Sequence, residues 1–284
     1  MGTARIAAAF AAAKARGAVA LLPYVPAGYP TLDTSRDVAL ALAAAGADLI
    51  EIGIPFSDPL ADGATIQRAT QVALKGGVTF DRCLDLVREI RPQVAAPLIF
   101  MGYYNPIHYR GIARTVADCA AAGVDGLIVP DLPPEEAGEL LAAMRTHDLA
   151  LIFLVSPVSS DTRLAQVAAL GTGFLYCVSL TGVTGARSAL SETLPAYVAR
   201  VRAHTDLPLA VGFGLSTAAH VAQVAQLADG AVVASALIDR LTAAPGQEAA
   251  VAGAYLRELR GAATDLTPQP PSLQRKGEQD HGHL

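Results

Sequence analysis

The sequence contains no tryptophan and few aromatic residues of any kind, and this scarcity limits how its core can be built. Aromatic side chains make up 5% of the 284 residues, whereas apolar residues in total make up 52%. The core therefore has to be assembled from alanine, valine, leucine and isoleucine. The large apolar fraction also excludes disorder for the bulk of the chain, because burying this material offsets the entropy cost of ordering it.

Charge and cysteine are also scarce, and each scarcity excludes a class of protein. Charged residues make up 17% of the chain and the net charge is −5, so there is no basic face to bind a nucleic acid. The three cysteines, Cys83, Cys119 and Cys177, are scattered and have neither a disulfide framework nor the spacing of a metal site. We therefore expect a reduced, cytoplasmic protein with no metal site and no nucleic-acid partner.

Long uninterrupted apolar runs are missing as well. The stretches 92–109, 164–186 and 207–228 carry no Asp, Glu, Lys or Arg, but glycine, proline and polar residues break each of them. None is a continuous span suited to a membrane helix. The alanine-rich start, 6–13, resembles a short signal core, but a strand follows it without a polar cleavage region. We expect no membrane association and an amphipathic helix at the N terminus.

Short β-rich runs alternate with helix-length stretches rich in alanine and leucine along most of the chain. The runs are almost continuously apolar, which is typical of a parallel sheet buried on both faces. The predicted strands cover 18–25, 48–54, 97–103, 125–130, 150–156, 173–179, 208–213 and 230–236. The predicted helices cover 32–45, 64–75, 80–91, 111–122, 135–147, 161–170, 193–203, 216–227 and 247–261, with a possible short helix after the last strand. The predicted helix caps are Thr31 or Asp33, Thr79, Ser160 or Asp161, and Ser216.

Eight strand–helix units with no change of composition between them favour an α/β protein with one (β/α)8 TIM barrel, preceded by an extra helix. A doubly wound open sheet is the alternative. It should carry a G-x-G-x-x-G turn after its first strand, and 23–30 (PYVPAGYP) is not one. Past position 262 the chain becomes rich in proline, glutamine and charge. We therefore assign 1–262 to the catalytic barrel and predict a disordered tail over 263–284.

In such a barrel the chemistry lies at the carboxyl ends of the strands, and there the second unit places three acids. Glu51 falls inside an apolar strand, where a carboxyl is paired, hydrogen-bonded or protonated, so it also suits a buried structural network. Asp58 before a proline also suits a turn, and Asp62 before Gly63 also suits a helix cap. We favour a catalytic pair, because two acids in different environments separate acid and base roles.

Three later loops are suited to binding a phosphate. They are the loop within 176–187 (YCVSLTGVTGAR), the end of the seventh strand at 212–216 (GFGLS), and the end of the eighth strand at 230–236. Glycine-rich loops offer backbone N–H groups, and barrel phosphate sites are often built from the loops after strands seven and eight. Tight turns explain one such loop easily and all three poorly. We therefore predict a phosphorylated substrate.

Lysine and histidine are poorly placed for catalysis in this chain. The lysines are Lys14, Lys75 and Lys276, and none follows a strand, which disfavours a Schiff-base aldolase. Of the six histidines only His108 lies in a loop of the catalytic face, which disfavours a histidine metal site. Of the mechanisms considered, acid–base catalysis by carboxylates remains.

Three segments resemble the tryptophan synthase alpha chain family. They are EIGIPFSDPLADGATIQ at 51–67, YCVSLTGVTGAR at 176–187 and VGFGLS at 211–216, and PFSDPLADG is highly specific to that family. The resemblance implies a TIM barrel that cleaves indole-3-glycerol phosphate to indole and glyceraldehyde 3-phosphate. It also implies a beta-chain partner in an α2β2 heterotetramer. That partner carries pyridoxal phosphate and makes tryptophan from indole and serine, whereas this chain has no cofactor.

The resemblance further implies roles for individual residues. Glu51 and Asp62 match the family's two catalytic acids, with Asp62 accepting the indole N–H proton and Glu51 protonating the indole carbon C3. The implied substrate-binding residues are Tyr24, Ile66, Tyr103, Ile128, Tyr176, Thr184 and Phe213. The implied phosphate-binding residues are Gly185, Gly214, Ala234 and Ser235, and Ala234 stands where the family has glycine, so its methyl narrows the approach. The loop around Asp58 is expected to face the beta chain, and the 182–190 loop to close the site.

Two other functions are compatible with parts of this pattern. One is another phosphate-binding barrel, such as a sugar-phosphate isomerase or the synthase that makes indole-glycerol phosphate, although the latter needs a lysine at a strand end. The other is a non-catalytic barrel that only activates a beta chain. The presence of both Glu51 and Asp62 argues against it, and release of indole from indole-glycerol phosphate distinguishes the two.

Overall fold

The computed structural model describes residues 2–178, 192–212 and 214–263, and its centre is one parallel sheet of nine short strands. The strands are β1 Ala20–Pro26, β2 Ile50–Gly53, β3 Leu98–Met101, β4 Gly126–Ile128, β5 Ala150–Ile152, β6 Leu154–Val155, β7 Leu175–Val178, β8 Leu209–Gly212 and β9 Gly230–Val233. Their order across the sheet is β5-β4-β3-β2-β1-β9-β8-β7-β6.

The two edge strands of this sheet are consecutive in the chain, and this closes the sheet into a barrel. β5 pairs with β4, β6 pairs with β7, and only Phe153 separates β5 from β6. The N–H of Tyr176 donates to the carbonyl of Phe153 (3.0 Å), so hydrogen bonding continues across the break. The fifth predicted strand is therefore present as two pieces that pair with opposite neighbours. The predicted (β/α)8 barrel is confirmed.

Helices cover the outside of the barrel and one closes its base. They are α1 Gly2–Ala15, α2 Leu32–Ala44, α3 Ala64–Lys75, α4 Phe80–Ile90, α5 Tyr104–Arg110, α6 Ile112–Ala122, α7 Gly138–Thr146, α8 Asp161–Leu170, α9 Leu194–Arg202, α10 Ala218–Ala225, α11 Ser235–Ala243 and α12 Glu248–Ala263, with a 3₁₀ turn over Arg91–Gln93. The sequence did not predict α5, because seven residues are too few to establish a helical period.

Side-chain caps begin several helices where the sequence predicts them. Thr31 and Thr79 each accept the backbone N–H of the residue three positions later. The predicted cap at Ser216 is wrong, because Thr217 accepts the N–H of His220 (3.2 Å) and caps α10. Ser216 instead donates its own N–H to the His220 ring Nδ1 (3.3 Å). The error is one residue, the usual uncertainty at a helix boundary.

Alternation along the strands divides the apolar side chains between two cores. Ile50 and Ile52 of β2 belong to the core between sheet and helices, so Glu51 between them faces the barrel interior. At the base of the interior, Phe10 of α1 packs against Phe174 with ring centroids 5.5 Å apart. The N-terminal helix therefore closes the amino end of the barrel, and the carboxyl end is left for the site.

At the amino end of the barrel, a polar side chain forms a hydrogen bond across every second pair of neighbouring strands. Asp48 accepts the N–H of Leu21, Asp125 that of Leu98, Thr172 that of Leu151, and Asp229 that of Leu209, at 2.8 to 3.0 Å. We call Asp48, Asp125, Thr172 and Asp229 the amino-end acceptors. Arginines pair with the three aspartates: Arg16 and Arg260 with Asp48, Arg5 and Arg91 with Asp125, and Arg202 with Asp229.

Two expectations concern parts of the chain away from the barrel. In the described ranges, no helix combines the length and the apolar character that crossing a membrane requires. Ala263 is the last residue of α12, and the rest of the predicted tail, 264–284, lies outside the described residues.

Candidate active site

Glu51 is a fully buried acid in the middle of the barrel. It lies on β2 between Tyr24 of β1 and Ile99 of β3, and its exposed fraction is 0%. Neither carboxyl oxygen has a hydrogen-bond partner within the described part of the chain, so these residues supply no structural network for it. Burial raises the pKa of Glu51 to about 8. The carboxyl is therefore mainly protonated at neutral pH and is suited to donate a proton.

Asp62 is a second acid, held in the loop after β2 under different conditions. Its N–H donates to the carbonyl of Pro59 (3.1 Å), and 8% of the residue is exposed. Burial raises the pKa of Asp62 to about 6, while a hydrogen bond with the Tyr103 side chain acts in the opposite direction. Asp62 does not cap α3, since Gly63 holds the cap position without a side-chain hydrogen bond. At neutral pH this carboxyl is mainly charged and is suited to accept a proton.

Two buried tyrosines interact with both acids. Burial is the main cause that raises the pKa values of Tyr24 and Tyr176, and the charges of both Glu51 and Asp62 raise them further. Both carboxyl groups therefore act on the same two phenols. The structure brings together these four predicted residues at the carboxyl end of the barrel, as expected for a TIM-barrel site.

Gly53 and Gly212 make room for these tyrosines, a role that the sequence did not predict for either glycine. A Cβ on Gly53 would lie 1.9 Å from the Tyr24 hydroxyl oxygen, and one on Gly212 would lie 2.3 Å from that of Tyr176. Each ring therefore packs against bare backbone of the next strand. The available signal was strand alternation, because Gly53 lies two positions after Glu51 and faces the same side.

Four residues that were predicted to bind substrate belong to two apolar clusters of the barrel. Tyr24 and Ile66 pack in one cluster with Ala69 and Ile238, and Met101 lies against it. Ile128 and Tyr176 belong to the core cluster in the barrel interior. Met101 and Ile238 were not predicted. Alternation could have found Met101, which lies between the inward positions Ile99 and Tyr103 of β3 and its loop.

The predicted phosphate-binding residues Ala234 and Ser235 lie at the start of α11. Ser235 is exposed at the first position of this helix, and Ala234 at the cap position makes no side-chain hydrogen bond. The first backbone N–H groups of a helix have no partner within the helix, and they are suited to bind an anion. Ala234 has an ordinary φ of −121° and packs against the Tyr24 cluster, so its backbone conformation does not require glycine. Gly214 follows β8 with φ +79°, which favours glycine.

Several predicted features cannot be placed in the site. Thr184, Gly185, Phe213 and the 182–190 loop lie outside the described residues. In the described ranges, no group of three or more histidine, cysteine or acidic side chains is arranged to hold a metal ion. His108 lies within α5, and Asp58 is exposed and accepts the N–H of Leu60 at its carbonyl (2.9 Å), so a tight turn is present there.

The comparisons with known proteins agree with this geometry. The family model described as tryptophan synthase alpha chain matches residues 10–264. A tryptophan synthase alpha chain of Roseiflexus castenholzii is 55% identical over 259 residues, which are 90% of this chain and 99% of the relative. A structure of Mycobacterium tuberculosis tryptophan synthase is 42% identical, with a TM-score of 0.86 over 92% of this chain and 98% of that chain. One of a tryptophan synthase complex from Pyrococcus furiosus is 35% identical, with a TM-score of 0.80 over 86% and 98%.

The matched region contains the whole barrel from β1 to α11, with Glu51, Asp62, Ala234 and Ser235. A family model that covers this much of the chain, together with a relative at 55% identity, leaves one conclusion. The chain belongs to the tryptophan synthase alpha chain family.

Proposed function

We propose that Glu51 and Asp62 carry out the lyase reaction of this family, the cleavage of indole-3-glycerol phosphate to indole and glyceraldehyde 3-phosphate. The observation that carries the proposal is the pair of buried acids with separated pKa values, about 8 for Glu51 and about 6 for Asp62. Between these values one carboxyl is protonated while the other is charged. An acid and a base are therefore present together near neutral pH.

The bond that breaks joins C3 of the indole ring to a carbon that bears a hydroxyl group. Glu51 donates its proton to C3 while Asp62 removes the proton of the ring nitrogen, which gives an indolenine. Glu51, now charged, takes the hydroxyl proton, so that a carbonyl forms and the C3–carbon bond breaks. The bonding electrons pass through the ring to nitrogen, which recovers its proton from Asp62. Both carboxyl groups return to their starting states, as a catalytic acid–base pair requires.

The remaining predicted residues would orient the substrate. Tyr24, Ile66, Tyr103, Ile128 and Tyr176 are proposed to line the slot for the indole ring and the glycerol chain, with Thr184 and Phe213. Gly185, Gly214, Ala234 and Ser235 are proposed to bind the phosphate, mainly through backbone N–H groups. In support, the cluster around Tyr24 includes Ile238, which lies one turn after Ser235 on α11. A ligand in the slot would thus place its phosphate at the start of this helix.

We also propose a beta-chain partner in an α2β2 heterotetramer, since a structure similar to this chain is described as a tryptophan synthase complex. The partner would carry pyridoxal phosphate and join the indole to serine, and no cofactor is assigned to this chain. The exposed loop around Asp58, in which 93% of Leu60 is accessible, is proposed to face that partner. We place the reaction in the cytoplasm, because the three cysteines are buried and free.

The test is release of indole from indole-3-glycerol phosphate by the purified chain, with and without a beta chain. Glu51→Gln and Asp62→Asn should each lower the rate by at least about 100-fold, since general acid–base catalysis contributes on this order. Circular dichroism should show both variants folded. Turnover close to that of the parent in either folded variant would refute the assigned role. A folded parent that only activates the beta chain would favour the non-catalytic barrel instead.

A further inference from the structure

The hydroxyl group of Tyr103 lies where the loops after β2 and β3 meet. It accepts the backbone N–H of Ala61 at 2.9 Å, and its ring packs against Phe56 with centroids 5.3 Å apart. A backbone N–H can only donate, so the phenol oxygen is the acceptor in this bond and its own proton remains free to be donated. The carboxyl group of Asp62, the next residue after Ala61, interacts with this hydroxyl group, and the interaction lowers the pKa of Asp62.

The backbone of the same turn is held separately. The Gln67 side-chain amide donates to the carbonyl of Asp62 at 2.9 Å, and the Asp62 N–H donates to the carbonyl of Pro59 at 3.1 Å. Gln67 therefore fixes the peptide group of Asp62 without a hydrogen bond to its carboxyl. Tyr103 differs in that its hydroxyl group binds the turn at Ala61 and also interacts electrostatically with the reactive side chain.

We propose that Tyr103 is the positioning residue of Asp62, whose hydroxyl group is oriented by the Ala61 N–H so that its proton points at the carboxylate. This inference rests on the proposed role of Asp62 as the base. A donated hydrogen bond favours the charged carboxylate over the protonated form and fixes which way its oxygens face. Tyr103 thus keeps a buried base ionised, in addition to lining the slot.

Other ionisable groups also interact with Asp62 or with Tyr103. Tyr24 and Tyr176 interact with both Asp62 and Glu51, and Asp131 interacts with Tyr103. Burial remains the main cause that raises the pKa of Asp62 to about 6, and the interaction with Tyr103 acts in the opposite direction. Loss of the Tyr103 hydroxyl would leave burial unopposed, so Asp62 would require a higher pH to become charged.

The experiment is the pH profile of kcat/KM for indole release, measured from pH 5 to 9 with the purified chain and repeated with a beta chain. The parent should rise through about pH 6 and fall through about pH 8, as Asp62 and then Glu51 lose protons. Tyr103→Phe keeps the ring and removes the hydroxyl. We expect its acidic limb to move upward by about 0.5 to 1 unit, with most of the lost kcat recovered above the shifted limb and KM little changed.

Two further variants separate this role from general loosening of the loop. Gln67→Ala should lower kcat equally at every pH and leave the limb in place, because it frees the turn without touching the carboxyl. Tyr109→Phe removes the same hydroxyl group from a residue of α5 that is 93% exposed, and should match the parent.

The outcomes distinguish this inference from the proposed function. An unmoved limb in folded Tyr103→Phe, whether kcat falls or KM rises, overturns the positioning role and leaves Tyr103 as a substrate contact. An equal shift in Gln67→Ala also overturns it, since the shift would then report the loop. Activity that persists in Asp62→Asn would instead overturn the proposed function, whatever Tyr103→Phe does.

Discussion

A buried carboxyl group at the amino end of the barrel has partners, whereas one near the carboxyl end lacks them within the described part of the chain. At the amino end, Asp125 is 2% exposed, accepts the N–H of Leu98 and pairs with Arg5 and Arg91 at 2.7 and 3.1 Å. Near the carboxyl end, Glu51 is at least as buried, but its oxygens have no hydrogen-bond partner within the described ranges. Asp125 lies directly before an apolar strand and Glu51 lies within one, so the contrast between them lies in their partners.

The difference shows how one barrel separates stability from chemistry. A buried carboxylate that is paired and hydrogen-bonded ties strands and helices together, and removing it leaves charges and N–H groups unsatisfied. A buried carboxyl group without partners is destabilising when ionised and therefore keeps a proton that it can transfer. The amino end is thus built for stability and the carboxyl end for reactivity, which is the usual division in TIM barrels.

The largest effect on stability is expected at the amino end, from Asp125→Ala. This change leaves Arg5, Arg91 and the Leu98 N–H without their shared acceptor, and breaking a buried ion pair typically costs about 3 to 5 kcal/mol. Urea unfolding monitored by circular dichroism gives the free energy of unfolding. Asp125→Asn is the control, because its amide oxygen still accepts from Leu98 and the loss should be smaller. Equal midpoints for the parent and Asp125→Ala would contradict the comparison.

At the carboxyl end, Glu51→Gln is expected to increase the free energy of unfolding, whereas Asp125→Ala decreases it. The folded-state pKa of about 8 lies above the ordinary value of 4.5, so stability is fully present below pH 4.5 and is lost as the pH rises through 8. An amide does not ionise and avoids this loss. We expect the variant to be more stable than the parent by about 3 kcal/mol at pH 7, an order-of-magnitude value from the pH units between 4.5 and 7.

The pH dependence makes this prediction specific. Urea unfolding at pH 4 and at pH 7 should show the advantage of Glu51→Gln at pH 7 and little of it at pH 4, where the parent is protonated in both states. A difference of the same size at both pH values would mean that packing, and not ionisation, separates the two proteins. The comparison between the barrel ends would then lose its electrostatic basis.

The smallest effect is expected from Thr172→Val, at the one amino-end acceptor that is not an aspartate. Only the neutral hydrogen bond to the Leu151 N–H (3.0 Å) is lost, which is worth about 1 kcal/mol. Thr172→Ser keeps the hydroxyl group and should unfold at nearly the parental urea concentration. A loss as large as that of Asp125→Ala would show that the charged pairs are not what distinguishes the amino-end acceptors.

Much of the fold could be predicted, because parallel strands buried on both faces leave long apolar runs in the sequence. The limits appear at the ends of elements. Asp48 and Asp125 fall inside predicted strands, whereas the structure places them just before β2 and β4, where they accept N–H groups from β1 and β3. Their partners lie 27 residues away in each case. A local pattern does not contain that information.

The candidate site likewise has residues that a local sequence pattern could predict and others that depend on distant segments. Glu51 stood out because an acid in an apolar strand requires an explanation, and Asp62 because of its motif. The positions of Gly53 under Tyr24 and of Ala61 against Tyr103 depend on which strand lies next to which. They became visible only with the barrel closed.

Composition and periodicity determined by themselves that this chain forms alternating strands and helices with acids at the strand ends, because these features follow from neighbours along the chain. Only the tertiary structure decided which acids are paired and which keep a proton. The protonation of a carboxyl group depends on the burial and the partners that distant segments impose on it. Asp125 and Glu51 have similar chemistry and similar surroundings in the sequence, and their opposite roles arise from what surrounds them in space.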